Sequence, residues 1–151
     1  MSAAMTGVAA IDRREFVASC VGVGAALMLG GCVAMVTHPV PMQDGRVRLS
    51  IGDFPDLAIP TGAIKIQPAR HDQPLYVLAN ADGQFVALSP ICTHRGCTVD
   101  VQGARLVCPC HGSTYSRAGE VLRGPAQRQL TSYRVARDGD TLIIDLAAVQ
   151  S

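Results

Sequence analysis

Cys92-Thr93-His94-Arg95-Gly96-Cys97 and, ten residues further on, Cys108-Pro109-Cys110-His111-Gly112-Ser113 are the two stretches on which the reading of this chain turns. Each offers one cysteine and one histidine within a tight, glycine-containing loop. Together they read Cys-x-His, thirteen intervening residues, then Cys-x-x-His, with a further cysteine five residues after the first and another just before the last histidine. Four of the six cysteines of the 151-residue chain fall in the nineteen residues from Cys92 to Cys110. That is too many thiols for a short chain unless they bind something or pair, so the group is read as one site.

Three chemistries can use such a set. Two thiolates and two imidazoles can close a tetrahedral zinc site, although zinc motifs do not ordinarily carry a second cysteine pair. Four cysteines could form two disulfides of a small exported domain, which leaves His94 and His111 unexplained. The third chemistry is an iron–sulfur cluster. Thiolates stabilise ferric iron and lower a cluster's potential, whereas neutral imidazoles in place of two of them remove negative charge and raise it. Two cysteines on one iron and two histidines on the other make a carrier that draws electrons from a mild reductant. The histidine side should face outward, because imidazole can meet a partner or exchange a proton.

The two segments closely resemble the cluster-binding loops of the Rieske [2Fe-2S] family, in its high-potential, disulfide-containing branch typified by the Rieske subunits of cytochrome bc complexes. The likeness is residue by residue in the loops and one of pattern from Val47 to Leu146. It implies one [2Fe-2S] cluster held by Cys92, His94, Cys108 and His111, and a disulfide between Cys97 and Cys110. It also implies that Ser113 and Tyr115 donate hydrogen bonds to cluster or ligand sulfurs and so favour the more negative, reduced form. Gly124-Pro125-Ala126 resembles the proline loop that shields the cluster. Two features depart from the pattern. Arg95 stands where members from cytochrome bc complexes usually have leucine, and the stretch Thr98 to Val107 is a few residues shorter. An apolar tip suits a quinol pocket, whereas a cationic tip suits an acidic protein partner.

The segments around these loops are short, rich in β-branched residues and bounded by turn signals, which predicts an all-β fold, a small antiparallel sandwich or barrel with a two-loop tip. Strands are expected at Val47–Ile51, Ala63–Ile66, Leu75–Ala79, Phe85–Ser89, Arg105–Val107, Leu130–Arg137 and Thr141–Leu146. Asn80 to Gly83 and Asp138-Gly139 are tight-turn signals, the latter joining the last two strands as a hairpin. With no Trp, three Phe and three Tyr, the core must rest on Val, Leu, Ile and Ala, and a stapling cofactor or disulfide would help so small a domain. His38 and His71 fit no ligand spacing and are expected to face solvent.

The N-terminal third reads differently. Phe16 to Val36 is an uncharged, mostly apolar run of 21 residues, long enough for a membrane helix or the core of an export signal. A buried helix is the plainer alternative, which Gly22, Gly24, Gly30 and Gly31 disfavour. Ahead of it, Asp12-Arg13-Arg14-Glu15-Phe16-Val17 resembles a twin-arginine signal, and Leu29-Gly30-Gly31-Cys32 resembles a lipobox with Cys32 as the lipidated residue. The expected organisation is a signal or anchor over residues 1–36, a tether over 37–46 carrying Pro39, Pro41 and Gly45, and the cluster domain over 47–151. The domain is expected on the outer, periplasmic side of a bacterial cytoplasmic membrane, held by a retained helix or by lipid.

A net charge of +1 with thirteen spread-out Lys and Arg argues against nucleic acid as a partner. No nucleophile or acid–base pair stands out, so the chain reads as an electron carrier whose turnover belongs to a complex. The resemblance implies the Rieske subunit of a quinol–cytochrome c oxidoreductase, with cytochrome b, quinol and a c-type cytochrome as partners. The alternatives are the carrier subunit of a periplasmic molybdenum enzyme resembling arsenite oxidase, and a free-standing tethered carrier.

Overall fold

The computed structural model describes residues 35–150; Arg13, Arg14, Cys32 and the apolar run as far as residue 34 lie outside them. Eleven strands follow in order: β1 (Thr37–Val40), β2 (Arg46–Ser50), β3 (Ala63–Pro68), β4 (Leu75–Ala79), β5 (Phe85–Leu88), β6 (Asp100–Gln102), β7 (Arg105–Val107), β8 (Thr114–Ser116), β9 (Val121–Arg123), β10 (Ser132–Asp138) and β11 (Thr141–Gln150). The helical content is two short 3-10 turns, Ile51–Asp53 and Pro55–Ala58. Among the described residues no helix is long and apolar enough to cross a membrane.

A seven-stranded sheet, ordered β1-β3-β4-β5-β10-β11-β2, forms the body, and a four-stranded sheet, β6-β7-β8-β9, forms the cap that carries the two loops. The body sheet must curl. Its edge strands β1 and β2 are joined by residues 41–45 alone, a connection that spans about 20 Å at full extension. Seven strands laid flat would separate those edges by about 29 Å. The expected hairpin forms, with Asp138 opposite Thr141 at the β10–β11 turn.

Strand β4, Leu-Tyr-Val-Leu-Ala, is buried at all five positions, and its pleat shows why. Leu75 and Val77 point into the body core with Val47, Ile64, Ile66, Leu142 and Ile144. Tyr76 and Leu78 point the other way, into a second core with Leu88, Val99, Leu106, Tyr115 and Leu130 beneath the loops. A strand covered on both faces has no polar side, hence the unbroken apolar run. The Tyr76 hydroxyl is satisfied by the Val99 carbonyl at 2.7 Å, which ties β4 to the cap. A second tie is a set of hydrogen bonds from a cation. Arg117, only 8% exposed, donates to the carbonyls of Gly62 (2.6 Å), Ala79 (3.0 Å) and Gly103 (2.8 Å), so its guanidinium bridges body and cap.

Several expectations need correction. The stretch 37–46, read as a tether, contributes β1, which pairs in parallel with β3 from Thr37↔Lys65 to Val40↔Pro68. Pro39 obscured it, but β1 is an edge strand, where a residue lacking an N–H is tolerated. Strands β6, β8 and β9, three residues each, were not expected. Leu130, expected to begin a strand, is instead fully buried under the loops, its N–H bonded to the Gly119 carbonyl at 2.8 Å. His38 and His71 are half-buried against Phe54 and Tyr133, at ring-centroid distances of 5.3 and 6.3 Å, rather than facing open solvent.

Because Leu78 is fully buried between β4 and the cap, Leu78→Ala is expected to destabilise the domain by about 2–5 kcal/mol. The measurement is the midpoint of urea unfolding, and a midpoint equal to wild type would refute the two-core description.

Candidate metal centre

The two loops are built on one backbone plan. In the first, the Cys92 N–H bonds the Cys97 carbonyl at 2.8 Å and the Gly96 N–H returns to the Cys92 carbonyl at 2.9 Å. In the second, the Cys108 N–H bonds the Ser113 carbonyl at 2.8 Å and the Gly112 N–H returns to the Cys108 carbonyl at 3.0 Å. Each loop closes through a glycine at positive φ, +79° at Gly96 and +74° at Gly112, a conformation that side chains other than glycine rarely adopt. Gly96 and Gly112 are thus functional residues that motif reading passed over. The signal was present as Cys-x-x-x-Gly in both segments.

The loops are cross-linked by a Cys97–Cys110 disulfide, with Cα atoms 6.5 Å apart. Both of these sulfurs lie within 4.8 Å of the Cys108 sulfur, so the disulfide packs directly on that thiol. Being oxidised, it takes no part in ligation, which leaves Cys92 and Cys108 as free cysteines, 2% and 1% exposed. The His94 and His111 rings face each other in a T-shaped arrangement 4.8 Å apart. His94 is half-buried, and its Nδ1 is buried without a hydrogen-bond partner; His111 is exposed at the tip. Two free thiols and two converging imidazoles, one with an orphaned nitrogen, are the donor set of a mixed Cys/His centre.

The hydroxyls stand where the sequence implied. Tyr115, fully buried on β8, brings its Oη to 3.2 Å from Cys92 Sγ and accepts the Thr93 N–H at 3.2 Å. Thr93 Oγ1 lies 3.1 Å from the same oxygen and donates to the Arg128 carbonyl at 2.6 Å. With the threonine proton committed there, the Tyr115 proton is free for the sulfur. Burial works against ionisation of Cys92, yet the Tyr115 hydroxyl, the His94 backbone N–H and the Cys108 and Ser113 side chains outweigh it and hold this thiol below its ordinary range. Burial pushes the Cys108 thiol up, and Cys92 adds to that. Burial and Cys92 likewise raise Tyr115, keeping its phenol protonated as a donor.

Gly124-Pro125-Ala126 closes over the second loop. Ser113 is fully buried, and its Oγ accepts the Ala126 N–H at 3.2 Å. Gly124, at φ +117°, approaches so closely that a Cβ there would lie 2.4 Å from Ser113 Cα.

Residues 58–134 match the family model described as the Rieske [2Fe-2S] domain. This chain is a member of the Rieske [2Fe-2S] family. Similar curated proteins include the cytochrome b6-f complex iron-sulfur subunits of Chlorobaculum thiosulfatiphilum, 32% identical over 90% of this chain and 76% of that protein, and of Chlorobaculum tepidum, 31% identical with the same coverage. Among solved structures, the plasma membrane Rieske protein PetC3 from Synechocystis PCC 6803 is 35% identical with a TM-score of 0.53, covering 60% of this chain and 92% of that one. A chain from the complex of oxygenase and ferredoxin in carbazole 1,9a-dioxygenase shares the fold at 18% identity, with a TM-score of 0.55 over 69% of this chain and 95% of its own length. The domain is therefore an iron–sulfur electron-transfer module of Rieske type, and zinc is set aside.

The contact at Gly124 makes Gly124→Ala a sharp probe, since the new methyl meets backbone and the φ is one that alanine rarely adopts. The expected outcome is a domain that loses most of its iron and acid-labile sulfide on purification, and full retention of both would contradict the close approach.

Proposed function

We propose that Cys92 and Cys108 hold one iron of the cluster and that His94 and His111 hold the other, with Cys97 and Cys110 stapling the loops. The observation that carries this assignment is the buried, unpartnered Nδ1 of His94 beside the facing ring of His111, in a site that also contains two free, buried thiols. Bound there, the cluster supplies one-electron transfer at a potential raised by its two imidazole ligands. Tyr115 donates toward Cys92 and Ser113 toward the ligand sulfurs, which favours the reduced state. The disulfide and the Gly124 loop keep water from the thiolates, leaving His111 as the exposed route of exchange.

The chain serves as the electron-carrier subunit of a membrane quinol–cytochrome c oxidoreductase of the cytochrome b6-f kind, the name borne by relatives that this chain matches over most of their length. They favour that reading over the carrier subunit of a molybdenum enzyme. In this role His111 accepts a hydrogen bond from quinol, so that electron and proton leave together. The Arg13-Arg14 motif directs export, and the apolar run or a lipid on Cys32 anchors the chain to the cytoplasmic membrane with the domain in the periplasm.

The test is the low-temperature electron paramagnetic resonance spectrum of the full chain in detergent, followed through a redox titration. A mixed Cys/His [2Fe-2S] signal with a positive, pH-dependent midpoint is expected, and a colourless, silent protein overturns the ligand assignment. In Ser113→Ala the signal should persist at a lower midpoint, by about 60 mV for each tenfold of preferential stabilisation lost. An unchanged midpoint removes Ser113 from its role. Purification from membranes together with a b-type cytochrome supports the complex, whereas a holoprotein that purifies alone argues against it.

A further inference from the structure

The charge of the described residues is unevenly divided. Residues 89–131, which carry the site, contain Arg95, Arg105, Arg117, Arg123 and Arg128 against only Asp100 and Glu120. The remaining described residues hold six cations against eight carboxylates, so the cap is at +3 and the body at −2.

Three of the cap arginines lie on the segments that meet at the two loops. Arg95 follows His94 in the first loop; Arg123 pairs with Thr114, directly after the second loop; Arg128 offers its carbonyl to Thr93 on the other flank. All three are exposed. The segments that bring them there, 89–98, 108–114 and 121–131, contain no Asp or Glu. Of the two cap carboxylates, Glu120 sits at the far end of the β8–β9 hairpin and Asp100 acts on the Tyr76 hydroxyl of β4. Among the described residues the ion pair formed is Arg46–Asp145, in the body, so no carboxylate neutralises the tip. A [2Fe-2S] unit with two thiolate ligands and two neutral imidazoles is neutral when oxidised and carries −1 when reduced, so three arginines leave the tip cationic in either state.

We infer that the tip is a docking face for an acidic redox protein, with Arg95, Arg123 and Arg128 as the steering residues. A collar of one sign concentrates a partner of the opposite sign and raises the rate of productive encounter. A partner protein fits better than an anionic lipid surface because these arginines share the loop tip with the exposed His111, through which an electron must pass, and a phosphate headgroup cannot accept one. The proposal rests on the electron-carrier reading, and the experiment separates the two.

The reduced, cluster-loaded full chain, reconstituted in phosphatidylcholine vesicles, is mixed by stopped flow with a soluble c-type cytochrome of net negative charge and, separately, with one of net positive charge and similar potential. With the acidic cytochrome the second-order rate should fall about tenfold or more as ionic strength rises from about 10 to about 300 mM, the range over which the screening length shrinks well below the width of the tip. With the basic cytochrome it should be slower and should rise with salt. The triple variant R95Q/R123Q/R128Q should lose about tenfold at low salt with the acidic partner, while R95K/R123K/R128K keeps the wild-type rate. In both variants the spectrum should match wild type, and the rates are compared at equal driving force because loss of three positive charges lowers the midpoint of the glutamine variant; a missing signal would indict the cluster assignment and not the docking face. A salt-independent rate, equal rates for wild type and the glutamine variant, or preference for the basic cytochrome would overturn the inference. So would slowing of the wild type alone in phosphatidylglycerol vesicles, which would identify lipid as the occupant.

Discussion

The four side chains proposed as ligands come from two stretches of chain and must meet at one point to hold one cluster, and this convergence governs the rest of the domain. Cys92 and His94 belong to one loop, Cys108 and His111 to another, and their positions depend on backbone hydrogen bonds that close each loop on itself. Neither loop could hold its partner in place through such bonds alone. The Cys97–Cys110 bond supplies the missing tie covalently, at the side of the site nearest solvent. Beneath it, Tyr115, Leu106, Val99 and Leu130 fill the space that would otherwise admit water to the thiols.

Support for that arrangement comes from a body that shares a strand with the cap. Because β4 presents alternate residues to two cores, tightening one core bears on the other. Arg117 adds a polar link of the same kind. Burial lowers the pKa of its guanidinium, but three carbonyls accept from it, one on the cap and two in the body. The cationic collar sits at the opposite end from the acidic body, so the molecule is electrically as well as structurally two-ended.

Much of this was legible in the sequence, and the reason is chemical. Cysteine and histidine at fixed spacing leave few alternatives, so the side chains that the structure brings together at the two loops could be named before any geometry was known. The long strands were legible where period-two burial ran over several residues, as in β3, Ala-Ile-Lys-Ile-Gln-Pro. Legibility failed where the determining partner was remote. Strand β1 exists because β3 offers it a parallel edge, and Leu130 lies outside the strand it was expected to begin, with its side chain packed in the core under the loops. Nothing local announces that the carbonyls of Gly62, Ala79 and Gly103 will converge on Arg117. The exposed Arg95 was conspicuous as a departure, but its kinship with Arg123 and Arg128 appears only when the three segments are brought to one tip.

The paired clasp of the loops bears on the speed of electron exchange. Transfer of an electron is slowed by the nuclear rearrangement that accompanies the change of charge, in the ligands and in surrounding water. Here both loops are closed by backbone hydrogen bonds and joined by a covalent bond, and the thiols lie out of reach of solvent. Thiols so confined have little freedom to relax, and the fixed dipoles around them do not need to turn, which leaves most of the rearrangement to the exposed His111 side. A centre of this kind has a small reorganisation energy and can pass an electron rapidly in either direction, so that the net flow is left to its partners to decide.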